Sequence, residues 1–148
     1  DLSSRADVSI TIFPSFSEPE SARIVDEKLT YFRLLSKNNR DDPRAGHEIR
    51  IDTVRNTRLS PSVARAIRET LMADITHAYA EPALGLDGAT YYFRTMDGRC
   101  AEAWSPDPKM RAGMWASVFH ALSEWTRPGA KAEDEAEVRR SINALRAE

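Results

Sequence analysis

Apolar and polar residues alternate near the start of the chain. Between Asp7 and Phe13, Val8, Ile10 and Ile12 take one side and Ser9 and Thr11 the other, the period of two that marks a half-buried strand; Pro14 ends it. The next stretch, Ser17 to Asn38, supports two readings. Ser17 with Glu20 forms a capping box, after which Ala22, Val25, Leu29, Phe32 and Leu35 would share one helical face. Ala22 to Val25 and Leu29 to Leu35 also read as two short strands, the second rich in strand-favouring residues, and we adopt that reading. His47 to Val54 alternates Ile49, Ile51 and Thr53 against Glu48, Arg50 and Asp52, a strand with one wet face.

Helical spacing takes over at Ser60-Pro61, a hydroxyl N-cap followed by proline at the first helical position. Val63, Ile67, Leu71, Ile75 and Ala78 then line one face, and the helix should end before Pro82. From Ala89 the pattern returns to strands. Two aromatic-rich runs, Ala89 to Thr95 and Arg99 to Trp104, flank Asp97-Gly98, a strong hairpin signal because glycine reaches positive φ without a Cβ clash. Trp104-Ser105-Pro106-Asp107-Pro108 repeats the helix-start signal, with the Ser105 hydroxyl as cap. Met110 or Met114, Trp115, Val118, Phe119, Leu122 and Trp125 supply the apolar face, and Thr126 to Gly129 the stop. Ala132 to Ala147 places Glu133, Asp134 and Glu135 in a first turn and arginines later, as the helix dipole prefers. Its apolar stripe, Val138, Ile142 and Leu145, is thin, and it reads as a lightly docked accessory helix.

These elements predict an α+β fold: an antiparallel sheet of about five strands packed against two main helices, with a peripheral C-terminal helix at 132–148 of a single domain spanning 1–148. A chain of 148 residues can bury a core without disulfides. With 41% hydrophobic and 30% charged residues it has a globular composition, and no apolar run approaches a membrane span. The formal charge of −2 disfavours a nucleic-acid binder. Cys100 is the only cysteine, so no internal disulfide can form. The chain begins at Asp1 without an apolar leader, which leads us to expect an exported, periplasmic bacterial protein whose signal peptide has been removed; the cytoplasm stays open.

The candidate chemistry turns on hairpin register. A two-residue loop at Asp97-Gly98 would set Glu102 opposite Phe93 among aromatic rings, where burial would raise its pKa. A three-residue loop, Met96-Asp97-Gly98 with a bulge, would set Phe93 opposite Ala101 and leave Glu102 opposite Tyr92, beside Arg94, as a surface acid. The cost of burying an unpaired charge favours the second. His47, His77 and His120 have no metal-binding spacing, and His120 beside Phe119 reads as a boundary histidine. Cys100 lacks any catalytic signature and reads as a small hydrophobe. No phosphate loop, nucleophile elbow or cofactor motif is present, so no cofactor is implied. The rings of Tyr91, Phe93, Trp104, Trp115 and Trp125 read chiefly as core, whereas Tyr92 points the other way in either register.

Phe13-Pro14-Ser15-Phe16, Gly85-Leu86-Asp87-Gly88 before an aromatic strand, and Trp104-Ser105-Pro106 before a helix resemble patterns of small uncharacterised bacterial proteins, often exported. The resemblance implies a layout across Asp7 to Trp125 and no catalytic residue. The expected function is non-enzymatic binding of a protein partner, in particular an immunity-type inhibitor of a toxin or effector. The expected contacts are Tyr92, Arg94 and Glu102, with Arg40, Asp41 and Asp42 from the polar loop Asn38 to Gly46. The alternative is a small-molecule binding domain or hydrolase using Glu102 and a histidine in an aromatic cleft.

Overall fold

The N-terminal alternation does build a strand ladder. In the computed structural model, which describes residues 7–37, 48–77 and 88–147, β1 (Val8–Pro14), β2 (Glu20–Val25) and β3 (Lys28–Lys37) are consecutive antiparallel neighbours. Strands therefore win over the helix in the ambiguous stretch. Asp26 explains why: it sits at φ 53°, a left-handed conformation that breaks a helix but suits a tight reversal, and aspartate tolerates it better than most residues.

β4 (Glu48–Arg58) pairs with β3. β5 (Ala89–Thr95) pairs with the other side of β1 and is joined to β6 (Cys100–Trp104) as a hairpin. The result is one antiparallel sheet of order β4-β3-β2-β1-β5-β6. It has six strands, because both hairpin arms join the four strands that precede them.

One sheet face carries Val8, Ile10, Ile12, Ala22, Ile24, Leu29, Tyr31 and Phe93, all buried in a common core with the helices. The helices are α1 (Pro61–His77), α2 (Arg111–Trp125) and α3 (Ala132–Ala147). Val63, Ile67, Leu71 and Ile75 of α1 and Trp115, Val118, Phe119 and Leu122 of α2 point into this core, as their spacing predicts. Each fully buried side chain of this size contributes roughly 1.5–3 kcal/mol. Among the described residues no helix is long and apolar enough to cross a membrane.

Three local expectations change. First, α2 begins at Arg111 instead of just after Ser105-Pro106. Ser105 is not its cap: it sits at φ 36°, and its hydroxyl accepts the Ala89 amide at 3.0 Å. Asp107 instead organises a separate turn, accepting the Lys109 amide at 2.8 Å on its side chain and the Met110 amide at 2.9 Å on its carbonyl. Second, the alternation in β4 breaks. Thr53 pairs with Arg33 but Ile51 pairs with Leu34, a register shift that leaves Asp52 between them without an opposite residue. Ile51 and Thr53 consequently lie on opposite faces.

Third, α3 is peripheral to the sheet yet firmly held. Val138, Ile142 and Leu145 are completely buried, the Ser60 amide donates to Glu135 Oε1 at 2.9 Å, and the Arg111 guanidinium donates to the Leu145 carbonyl. Three consecutive inward residues per helix suffice when α1 and α2 form the surface they meet.

Candidate functional site

The hairpin closes with the three-residue loop. Arg94 pairs with Cys100, Phe93 with Ala101 and Tyr92 with Glu102, and the Thr95 amide donates to the Arg99 carbonyl at 3.0 Å across Met96-Asp97-Gly98. Gly98 takes φ 87°, the conformation for which glycine is needed. Asp97 braces the loop: its carboxylate accepts the Thr95 hydroxyl at 2.6 Å and Arg99 Nε at 2.7 Å. The Thr95 bond, followed by the Arg99 contacts, holds its carboxyl below the usual aspartate pKa.

This register decides what each side of the sheet offers. Phe93, Ala101 and Ala103 share the helix side, whereas Tyr92, Arg94, Cys100 and Glu102 lie on the other. The described helices pack on the opposite face, although Phe32 and Ser21 on this one are buried. Two cross-strand rows run over it. One is Val54, Phe32, Ser21, Thr11, Tyr92 and Glu102; the next brings Ile51 beside Leu34 and Phe13 beside Thr90. Val54 is 55% exposed, Phe13 44%, Ile51 43% and Tyr92 41%. Phe13 and Tyr92 meet edge to face with ring centroids 5.4 Å apart. Between the two apolar ends, Thr11 and Ser21 share a hydrogen bond of 2.9 Å. The bulge at Asp52 is what turns Ile51 to this side.

On the helix side the same hairpin bounds a cleft of about 370 Å³. Its walls are the end of α1, the start of α2 and the edge strand β6, with Leu71, Ile75, Phe93, Trp104, Met110 and Trp115 as apolar lining. The space exists because β6 presents only Ala101 and Ala103 inward, where β5 presents Tyr91 and Phe93. Asp74 and Arg111 form the polar part of the wall. Arg111 Nε and Nη2 donate to the Asp74 carboxylate at 3.0 and 2.9 Å, and Trp115 Nε1 donates to it at 2.7 Å. Phe93 and Trp115 pack with centroids 6.5 Å apart, and burial raises the pKa of the neighbouring Tyr91 hydroxyl.

Of the residues expected at a partner surface, Tyr92, Arg94 and Glu102 come together on the uncovered face. Arg40, Asp41 and Asp42 lie outside the described residues. Glu102 is exposed, not enclosed by rings, so the buried carboxylate that a hydrolytic reading requires is not there. It reaches the rim of the cleft nevertheless, together with His77. His120 is exposed and stacks its edge against Phe119. Cys100 is exposed rather than a buried hydrophobe, since its outward register position has no helix over it. No cluster of metal-ligating residues occurs among the described residues.

Ser15, Gly88 and Ser105, one described residue from each of the three sequence patterns singled out above, meet at one end of the sheet; Gly85 to Asp87 lie outside the described residues. The Ser15 amide donates to the Gly88 carbonyl at 2.8 Å, the Gly88 amide donates to Ser15 Oγ at 3.2 Å, and Ser105 exchanges bonds with Ala89. A Cβ on Gly88 would lie 1.9 Å from Ser105 Oγ, so the approach requires glycine. The alternative expectation is an aromatic cleft with Glu102 and a histidine; Glu102, His77, Phe93, Trp104 and Trp115 line this one, whereas its Asp74–Arg111 pair is not part of that expectation. The one further signal of the cleft is the pair of alanines alternating through β6, and Asp74 and Arg111 are too far apart in the chain to suggest a pair. Searches of protein-family models, curated proteins and solved structures find no match to this chain.

Proposed function

We propose that the protein is a non-enzymatic protein-binding domain that engages its partner through the uncovered face of the sheet, in the manner of an immunity-type inhibitor occupying a toxin or effector enzyme. The observation that carries this reading is the exposure of two apolar pairs, Phe13 with Tyr92 and Ile51 with Val54, at the two ends of one sheet face, while among the described residues the helices pack on the opposite face. Exposed apolar groups in contact, as Phe13 and Tyr92 are, mark interaction surfaces more often than singly scattered ones do. Aromatic residues and arginine are also the residue types that anchor such interfaces, and Tyr92 and Arg94 are adjacent on β5 with opposite neighbours Glu102 and Cys100. A standard interface buries about 1,200–2,000 Å² in total, which a six-stranded face with its rims can supply.

Affinity capture from the source cell tests the reading. The wild-type chain should retain one stoichiometric protein, and Tyr92→Glu or Val54→Glu should release it with folding intact by circular dichroism. Recovery of no stoichiometric partner, or equal recovery by both variants, would refute it.

A further inference from the structure

The cleft beneath β6 lies on the other side of the sheet from the proposed partner surface, and its chemistry points to a different ligand. Its volume of about 370 Å³ falls within the range of small-molecule sites, roughly 300–1,000 Å³. Phe93 and Trp115 line it from within and Trp104, which shares the register face of Glu102, from the edge of β6; aromatic ring faces favour a cation. The charges of Asp74 and Arg111 cancel in a two-point ion pair. At the mouth stand the Glu102 carboxylate and the His77 ring. Glu102 is an exposed carboxylate without a partner among the described residues. His77 Nδ1 lies 2.8 Å from the Ala73 carbonyl; a carbonyl can only accept, so Nδ1 carries a proton and the ring is held with its Nε2 edge free of that bond.

We propose that this cleft binds a small organic amine, with an aromatic or aliphatic body seated against Phe93 and Trp115 and its ammonium group at the mouth, held by Glu102 and His77. Ala101 and Ala103 are the residues that keep the space open, since a larger inward side chain at either would occupy it. An anionic ligand of the same shape meets the Glu102 carboxylate, and the one arginine among the described lining residues, Arg111, is already paired with Asp74.

A matched probe series tests the proposal: phenethylamine, 2-phenylethanol and phenylacetate, titrated into the whole chain while the indole N–H resonances of Trp104 and Trp115 are followed by NMR. The amine should bind at least tenfold more tightly than the acid, with the alcohol between them. Ala103→Leu and Ala101→Leu, each checked for folding by circular dichroism, should weaken amine binding at least tenfold. Glu102→Gln should lower the preference for amine over alcohol several-fold and leave alcohol binding unchanged. Failure of all three probes to shift the indole resonances, equal binding of acid and amine, or insensitivity to both alanine replacements would each overturn the proposal.

Discussion

Asp97 shows how much one side chain can settle. By accepting the Thr95 hydroxyl and Arg99 Nε it fixes a three-residue loop, and the loop decides which side of the sheet every residue from Cys100 to Trp104 occupies. Because these contacts are made to the ionised form, its pKa is lower folded than unfolded, so its contribution is present above the ordinary aspartate value and is lost as pH falls through the folded value. The Asp97 carboxyl resonance should therefore titrate below the ordinary range. Asp97→Asn should be less stable than the wild-type chain near neutrality, and the gap should close in acid; a gap that is constant with pH would contradict this. The register itself was legible in the sequence, since the cost of enclosing Glu102 argued for the longer loop. The exposure of Cys100 was not read correctly, although the same register implies it. Ser105 was misjudged because its hydroxyl binds the amide of Ala89, a long-range partner that no local pattern announces.

At the scale of elements, periodicity was enough where an element has one wet and one dry side. β1, α1 and the apolar face of α2 follow it closely. It failed where a neighbour sets the geometry. The shift opposite Arg33 and Leu34 depends on the pairing of two strands, so the run from Ile49 to Thr53 looks uninterrupted when read by itself. The start of α2 is displaced because the turn at Asp107 packs directly on the helix. There a Cβ on Gly113 would lie 2.0 Å from the Asp107 carbonyl oxygen. Alanine for glycine in a helix ordinarily gains about 1 kcal/mol; here Gly113→Ala should instead cost about 1–3 kcal/mol, as overpacking does. Urea unfolding of the variant measures the sign directly, and a stabilised Gly113→Ala chain would show that the turn does not press on the helix. The firmness of α3 was likewise hidden. Three apolar residues look thin in a sequence, and only the groove offered by α1 and α2 makes them a buried seam.

Among the described residues of the whole molecule, the sheet buries one face under α1 and α2, with α3 docked on those helices, and carries exposed rings and branched side chains on the other. That asymmetry was partly visible beforehand, because Tyr92 points away from Tyr91 and Phe93 in any register. The contribution of Val54 and Ile51 was not, since it arises from the bulge and from the extension of β4 to Arg58. Long-range ties such as Arg68 to Asp7 at 2.8 Å and the Asp74–Arg111 pair had no sequence signal at all, because topology alone brings them together. The uncovered face and the cleft can be disrupted independently: Val54→Glu should leave amine binding intact, and Ala103→Leu should leave partner capture intact. The most direct test of the uncovered face is photo-cross-linking in the source cell, with a benzophenone side chain placed in turn at Val54, at Tyr92 and at the exposed Glu137 of α3. Cross-links to one common protein from Val54 and Tyr92 and none from Glu137 are expected; cross-links from Glu137 alone, or from no position, would contradict a partner seated on the sheet.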